Sequence, residues 1–176
     1  MKNLLIGLLF LGFTNLMFSQ SSYESDDLIL LKYKTATAVN SHYLSAVLEP
    51  RIAKRVDALE SKVAQYDITK QSIFDNRSRA YHVTFEEQND YKGSITAHFD
   101  ARGNLTKSNE RFKDVILPYT VRYAVSLAYP DCIFKNNTYY VNYSLKQGTE
   151  KIYKIKVLTS KGSYETLRVD PQGNLM

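Results

Sequence analysis

The stretch Asp-Ala-Arg-Gly-Asn-Leu at 100–105 recurs as Asp-Pro-Gln-Gly-Asn-Leu at 170–175. Asp in the first place and Gly in the fourth suit a type I turn followed by a left-handed residue, and Pro171 presets φ in the second place. Two such turns 70 residues apart raise the question of a longer repeat. Matching patterns lie upstream of both. The alternating stretches Tyr-His-Val-Thr-Phe (81–85) and Tyr-Lys-Ile-Lys-Val (153–157) precede the turns, and helical patterns ending near Tyr66 and Tyr129 precede the strands. The spacing between matched elements shifts by a few residues, as insertions in loops make it.

Each element has its own physical warrant. Pro50 suits an early helix position, and Ile52, Val56, Leu59 and Val63 then recur at helical steps on one face. A second helix opens at Pro118, carries Val121, Val125 and Ala128 inward, and stops before Pro130. In the strands the period becomes two: Tyr81, Val83 and Phe85 face one way, and His82, Thr84 and Glu86 the other. Ile95, Ala97 and Phe99 alternate with Thr96, His98 and Asp100; Leu167 and Val169 flank Arg168. Tyr139, Val141, Tyr143 and Leu145 form an additional strand that turns at Gln147-Gly148. The expected class is α+β, with two tandem α-β-β(-β) units, each a helix packed on an antiparallel sheet. The units run over residues 50–116 and 117–176, and sharing one core would make 50–176 a joint domain. In residues 20–49, Leu-Ile-Leu-Leu-Lys-Tyr (28–33) reads as a short strand and the rest as a linker or edge segment.

Residues 1–19 read as a secretory signal peptide: Lys2, an apolar run from Leu4 to Phe13, then polar residues. A membrane anchor needs about 20 apolar residues, and Thr14 and Asn15 interrupt this run, so no stable anchor is expected after cleavage. Export to the periplasm or outside the cell follows. Loss of Lys2 takes the net charge from +5 to +4. No dense Lys/Arg block exists, so nucleic acid is not the expected partner. Cys132 is the only cysteine, which rules out an internal disulfide.

Chemistry is conspicuous by its absence from the motifs. No Gly-x-Ser-x-Gly elbow, Ser-x-x-Lys, His-Glu-x-x-His, Cys-x-x-Cys or Gly-rich phosphate loop occurs. The Asp-x-x-Gly-Asn turns supply one carboxylate each, too few for calcium. Asp26-Asp27 and Glu86-Glu87 are adjacent pairs that point apart on an extended chain, and Cys132 reads as a buried, inert thiol. The expectation is therefore no catalytic residue and no cofactor. Three features remain. A hairpin pairing Phe85 with Ile95 also sets His82 opposite His98, a weak metal candidate beside the plainer reading of solvent-facing residues. The second hairpin sets Lys154 opposite Arg168 with Lys156 beside them, a stripe for an anionic partner or a solvated face. Finally, 14 tyrosines and no tryptophan suit a binding surface, and Asp90 and Tyr91 in the loop Glu-Glu-Gln-Asn-Asp-Tyr-Lys-Gly are candidate contacts.

On the stretches Ser94–Val121 and Tyr153–Met176, residues 50–176 resemble a tandem PepSY-like module of the kind grouped with the beta-lactamase inhibitor protein (BLIP-like) fold. The resemblance implies helices on antiparallel sheets and a binding or inhibitory role; it carries over no catalytic residue, and the chain departs from it in lacking a disulfide. The leading expectation is an exported, soluble, non-enzymatic protein-binding module, an enzyme inhibitor being one form of it. The alternative is a binder of a small ligand or an envelope polymer such as a glycan. A nucleotidyltransferase reading, of the nicotinate-nucleotide adenylyltransferase kind, would need a Gly-His pair, whereas His42, His82 and His98 follow Ser41, Tyr81 and Ala97.

Overall fold

The computed structural model describes residues 32–49, 52–75, 77–88 and 92–176. Residues 1–19, read above as a signal peptide, and Pro50, Asp90 and Tyr91 lie outside the described residues. The chain divides into compact units of residues 1–36 and 37–176. In the first, residues 32–36 are helical, so Lys32 and Tyr33 do not belong to the strand read over 28–33.

The second unit is α+β. Helix α1 spans Ser41–Val47, α2 Lys54–Gln65, and a 3-10 turn Ile68–Lys70. Strands β1 (Ala80–Glu86), β2 (Gly93–Asp100) and β3 (Leu105–Lys113) follow, then α3 (Tyr119–Ala128), then β4 (Ile133–Ser144), β5 (Gly148–Leu158) and β6 (Tyr164–Val169). The six strands form one antiparallel sheet in chain order, β1 to β6. The strand period of two sorts side chains by face. Tyr81, Phe85, Ile95, Ala97, Phe99, Phe112, Tyr139, Val141, Tyr153, Ile155, Val157 and Val169 are buried in one core with Val56, Val63, Val121 and Val125 of the helices.

The helices obey the expected stripes with two differences. Ile52 precedes α2 and is only half-buried, and Ala128 is exposed because α3 turns just Val121 and Val125 inward. In α2, Asp57 in the first turn and Lys62 in the last complement the helix dipole. Its open carbonyls are met by Asn40: the backbone N–H donates to Ala64 at 2.8 Å, and the side-chain amide donates to Val63 and Tyr66 at 3.1 and 2.8 Å.

Those bonds seat α1, which replaces the linker or edge expected in this region. Tyr43, Leu44 and Val47 are buried to 1% exposure or less, each worth about 1.5–3 kcal/mol of apolar burial. A helix of seven residues is too short to display its period in the sequence.

Both Asp-x-x-Gly-Asn turns adopt the same hydrogen bonding. The Asp N–H donates to the Asn carbonyl at 2.9 and 3.0 Å, and the Gly N–H donates back to the Asp carbonyl at 3.0 Å in both. Asp100 Oδ1 accepts from Asn104 N–H at 2.9 Å, and Asp170 Oδ1 from Asn174 N–H at 2.8 Å. Partial burial pushes both carboxyls up, but the bonds from Asn104 and Asn174 outweigh it and hold both below the ordinary value. Gly103 and Gly173 have φ of 84° and 93°, where only glycine is unstrained.

Candidate binding surface

With the helices on one face, alternate strand residues turn to the other, and no described element of residues 37–176 covers that face. Its cross-strand rows follow from the register. Glu86, Ser94, Arg111, Tyr140 and Ile152 form one row; Thr84, Thr96, Asn109, Asn142 and Glu150 form the next. A third runs His82, His98, Lys107 and Ser144, and a fourth Lys113, Thr138, Lys154 and Arg168. Ile152 is 6% exposed without joining the main core. Lys107, Arg111, Lys154, Lys156 and Arg168 are exposed on this face against the acidic Glu86 and Glu150, so its balance is basic.

The expected pairings occur. His82 stands opposite His98, with ring centroids 4.3 Å apart. His98 Nε2 lies 3.3 Å from Asn109 Nδ2, and burial, His82 and Lys107 lower the His98 pKa. Among the described residues, no group of three or more His, Cys, Asp or Glu side chains could hold a metal, so the histidines stand as a pair without a third ligand. Lys154 faces Arg168 across β5 and β6. Lys156 extends its ammonium over the Tyr164 ring at 4.5 Å from the centroid, which shields part of the repulsion. A polar depression of about 350 Å³ opens where β3, β4 and β5 end, lined by Lys107, Asn109, Asn142, Gln147 and Glu150 among others.

The tyrosines are distributed otherwise than a tyrosine-bearing binding face requires. Tyr81, Tyr139, Tyr143 and Tyr153 are buried on the helix side, and among the described strand residues Tyr140 and Tyr164 are the tyrosines on the open side. Period two decides this, because odd positions in β1, β4 and β5 point inward. Cys132 is half-buried rather than buried. Glu86 and Glu87 do point apart: Glu86 is exposed, and Glu87 pairs with Arg55 at 2.6 Å.

A polar cluster beneath α1 matches none of the motifs in the sequence. Glu60 and Glu110 are 0% and 2% exposed. Glu110 Oε1 accepts from Tyr43 Oη and Ser108 Oγ, both at 2.8 Å. Burial pushes the Glu110 carboxyl up to about 7, against lowering by the bonds from Ser108, Tyr43 and Glu60 and by the Lys151 charge. Burial and then the Glu110 charge raise the Glu60 carboxyl well above the usual range. Lys151 pairs with Glu49 at 2.6 Å. Tyr139 and Tyr153 stack beside them with centroids 4.4 Å apart, and burial pushes both phenols up. So deep a pair does not meet a substrate; it ties α1, α2 and β3 together. One signal was available: Glu60 sits on the apolar stripe of α2, one turn after Val56.

Among the described residues no helix is long and apolar enough to cross a membrane. Comparison with protein-family models, curated proteins and solved structures returned no match to this chain.

Proposed function

We propose that the chain is an exported, non-enzymatic binding module that docks a protein partner through the open face of its sheet, as an inhibitor of an enzyme does. The reading carries the two-unit organisation with it: residues 50–116 and 117–176 each place a helix before their strands and end a hairpin in the same Asp-x-x-Gly-Asn turn. It also agrees with the PepSY-like resemblance of residues 50–176. The observation that carries it is a basic face that no described element of residues 37–176 covers, on which Lys107, Arg111, Lys154, Lys156 and Arg168 have Glu86 and Glu150 as acidic counterparts among the described residues. Like charges left opposite each other, as Lys154 and Arg168 are, cost stability, and an acidic partner surface removes that cost.

The test is retention of envelope proteins by the mature chain, at low and moderate salt, beside a Lys107→Glu, Arg111→Glu variant. One protein held by the wild type, weakened by salt and lost by the variant, supports the reading. Equal retention by both removes the face as the docking surface. The loop residues Asp90 and Tyr91 are tested in the same assay by an alanine double variant.

A second reading has its own observation. The depression lined by Asn109, Asn142, Gln147 and Glu150 offers amides and a carboxylate to hydroxyl groups, the chemistry of a glycan or other envelope polymer. Glycan binding weakened by Asn109→Ala and Asn142→Ala, with no protein retained, selects it.

A further inference from the structure

Strand β6 is the last of the sheet, and among the described residues only the stretch Asn174–Met176 pairs along its outer edge. Its pairing with β5 sets Tyr153 opposite Val169 and Leu158 opposite Tyr164. Outside that ladder, the Arg168 carbonyl accepts from Met176 N–H at 3.0 Å, and Asp170 N–H donates to Asn174 at 3.0 Å. Strand alternation then fixes the rest: the N–H and C=O groups of residues 164, 166 and 168 point away from β5. Leu175 bridges Val169, and with Met176 it forms the first rungs of a seventh strand. Among the described residues nothing pairs with the edge from Thr166 to Tyr164. The corresponding edge of β2, after the matching turn, is filled by β3, with Ala97 opposite Ser108 and Ile95 opposite Glu110.

The surroundings of this edge are shaped for a strand. Two depressions, of about 450 and 350 Å³, flank it on the helix side. Both are walled by Ala128 and Tyr129 at the end of α3; the first includes Leu167 and Leu175, the second Lys161 and Glu165. On the opposite side, Arg168 is exposed on the edge strand, with Lys154 and Lys156 exposed one strand in, on β5. A strand added here has its alternate side chains divided between these two environments. One set enters the trough beside Leu167 and under Tyr129, and the other lies over the three cations. Neither a proline nor a bulge interrupts Tyr164–Val169, which is six residues long and carries Glu165 on its helix side and Arg168 on the other.

We infer that the β6 edge binds an extended segment of a protein partner in which apolar and acidic residues alternate, taken up as a strand of the sheet. This deepens the protein-binding reading and rests on it. The backbone groups of Thr166 supply the pairing, the trough selects the apolar side chains, and Arg168 with Lys154 and Lys156 selects the acidic ones.

The probe is a short fluorescent peptide alternating glutamate with valine, titrated against the mature chain. Its controls are a lysine–valine peptide and a glutamate–valine peptide N-methylated at alternate amides in each of the two registers. Binding of the first, with at least about tenfold weaker binding when the edge-facing amides are methylated, is the expected result. Thr166→Pro removes an outward N–H without touching the β5 ladder and is expected to weaken the peptide to the same degree with unchanged melting temperature. Lys154→Glu with Arg168→Glu is expected to reverse the preference towards the lysine–valine peptide. Equal binding in both methylated registers, or no saturable binding at millimolar peptide, overturns the inference. So does a self-associated dimer that Thr166→Pro abolishes, since a second copy then owns the edge. The envelope partner separates the two proposals. Loss with Lys107→Glu, Arg111→Glu but not with Thr166→Pro keeps the face and removes the edge; the reverse keeps the edge and removes the face.

Discussion

The two Asp-x-x-Gly-Asn turns are chemically near-identical and lead to different outcomes. The first, Asp100–Asn104, runs into the nine residues of β3, which fill the edge of β2 and then carry β4 on their far side. The second, Asp170–Asn174, runs into a single bridge between Leu175 and Val169, and most of the β6 edge stays open. Local turn chemistry thus fixes a reversal of the chain and nothing more. What a turn is worth to the fold depends on the length and side chains of the strand it delivers. After the first turn these include Ser108 and Glu110, whose buried polar groups join α1 and α2 to the sheet.

The largest effect that would sharpen this contrast belongs to Glu110. Glu110→Ala leaves the buried hydroxyls of Tyr43 and Ser108 without an acceptor and opens a cavity, an expected loss of about 3 kcal/mol in urea unfolding. Glu110→Gln keeps an acceptor and is expected to lose less than half as much. A neutral Glu110→Ala would show that β3 is held by its apolar ends alone, and the two turns would then differ only in length.

A smaller effect is the dependence of stability on pH. Glu110 and Glu60 both hold protons more tightly folded than unfolded. The folded chain therefore carries more protons, and stability falls as pH rises from the ordinary carboxylate value through about 7. His98, whose pKa is lowered by burial and by His82 and Lys107, acts in the opposite sense over the same range. The carboxyls are isolated by comparing wild type with Glu60→Gln, Glu110→Gln. Between pH 5 and 8 the wild type is expected to lose about 5 °C of melting temperature relative to that variant. Parallel melting curves at all pH values would show that neither carboxyl holds its proton more tightly in the folded chain.

The smallest effect compares the turns directly. Gly103→Ala forces a left-handed alanine, costing about 1–2 kcal/mol, and its Cβ would meet Thr69 Cγ2 at 2.5 Å. Gly173→Ala carries the same backbone cost and would bring Cβ to 2.9 Å from the Thr120 carbonyl. Here the described residues after the turn join the sheet through the single Val169–Leu175 bridge, so release of that bridge limits the expected global loss to under about 1 kcal/mol. Hydrogen exchange at Met176 N–H should quicken while exchange in β2 and β3 does not change. Equal losses at both glycines would break the comparison and make the second turn as integral as the first.

Much of the fold was legible where local physics repeats at short range. The turns, the period of two in β1, β2, β5 and β6, the start of α3 and the His82–His98 register all follow from spacing, whereas α2 begins at Lys54, after the Ile52 read as part of its stripe. Strand β3 did not announce itself, because Ser108 and Glu110 occupy inward positions where the pattern demands apolar residues. Helix α1 was hidden by its length. Of the surface candidates, Lys154, Lys156 and Arg168 were found from register, while Lys107 and Arg111 went unseen because they lie on β3.

The sequence by itself determined the turns, the alternation of each regular strand and the apolar stripes of two helices, since these depend on residues a few positions apart. Only the tertiary structure decided that six strands join one sheet in chain order, that α1 closes over it, and that among the described residues of 37–176 one face and most of one edge have no cover. It also decided that Glu60 and Glu110 are buried together, which raises both carboxyls. Those outcomes depend on groups brought together from distant parts of the chain, where desolvation and hydrogen bonding act through space and leave no period to read.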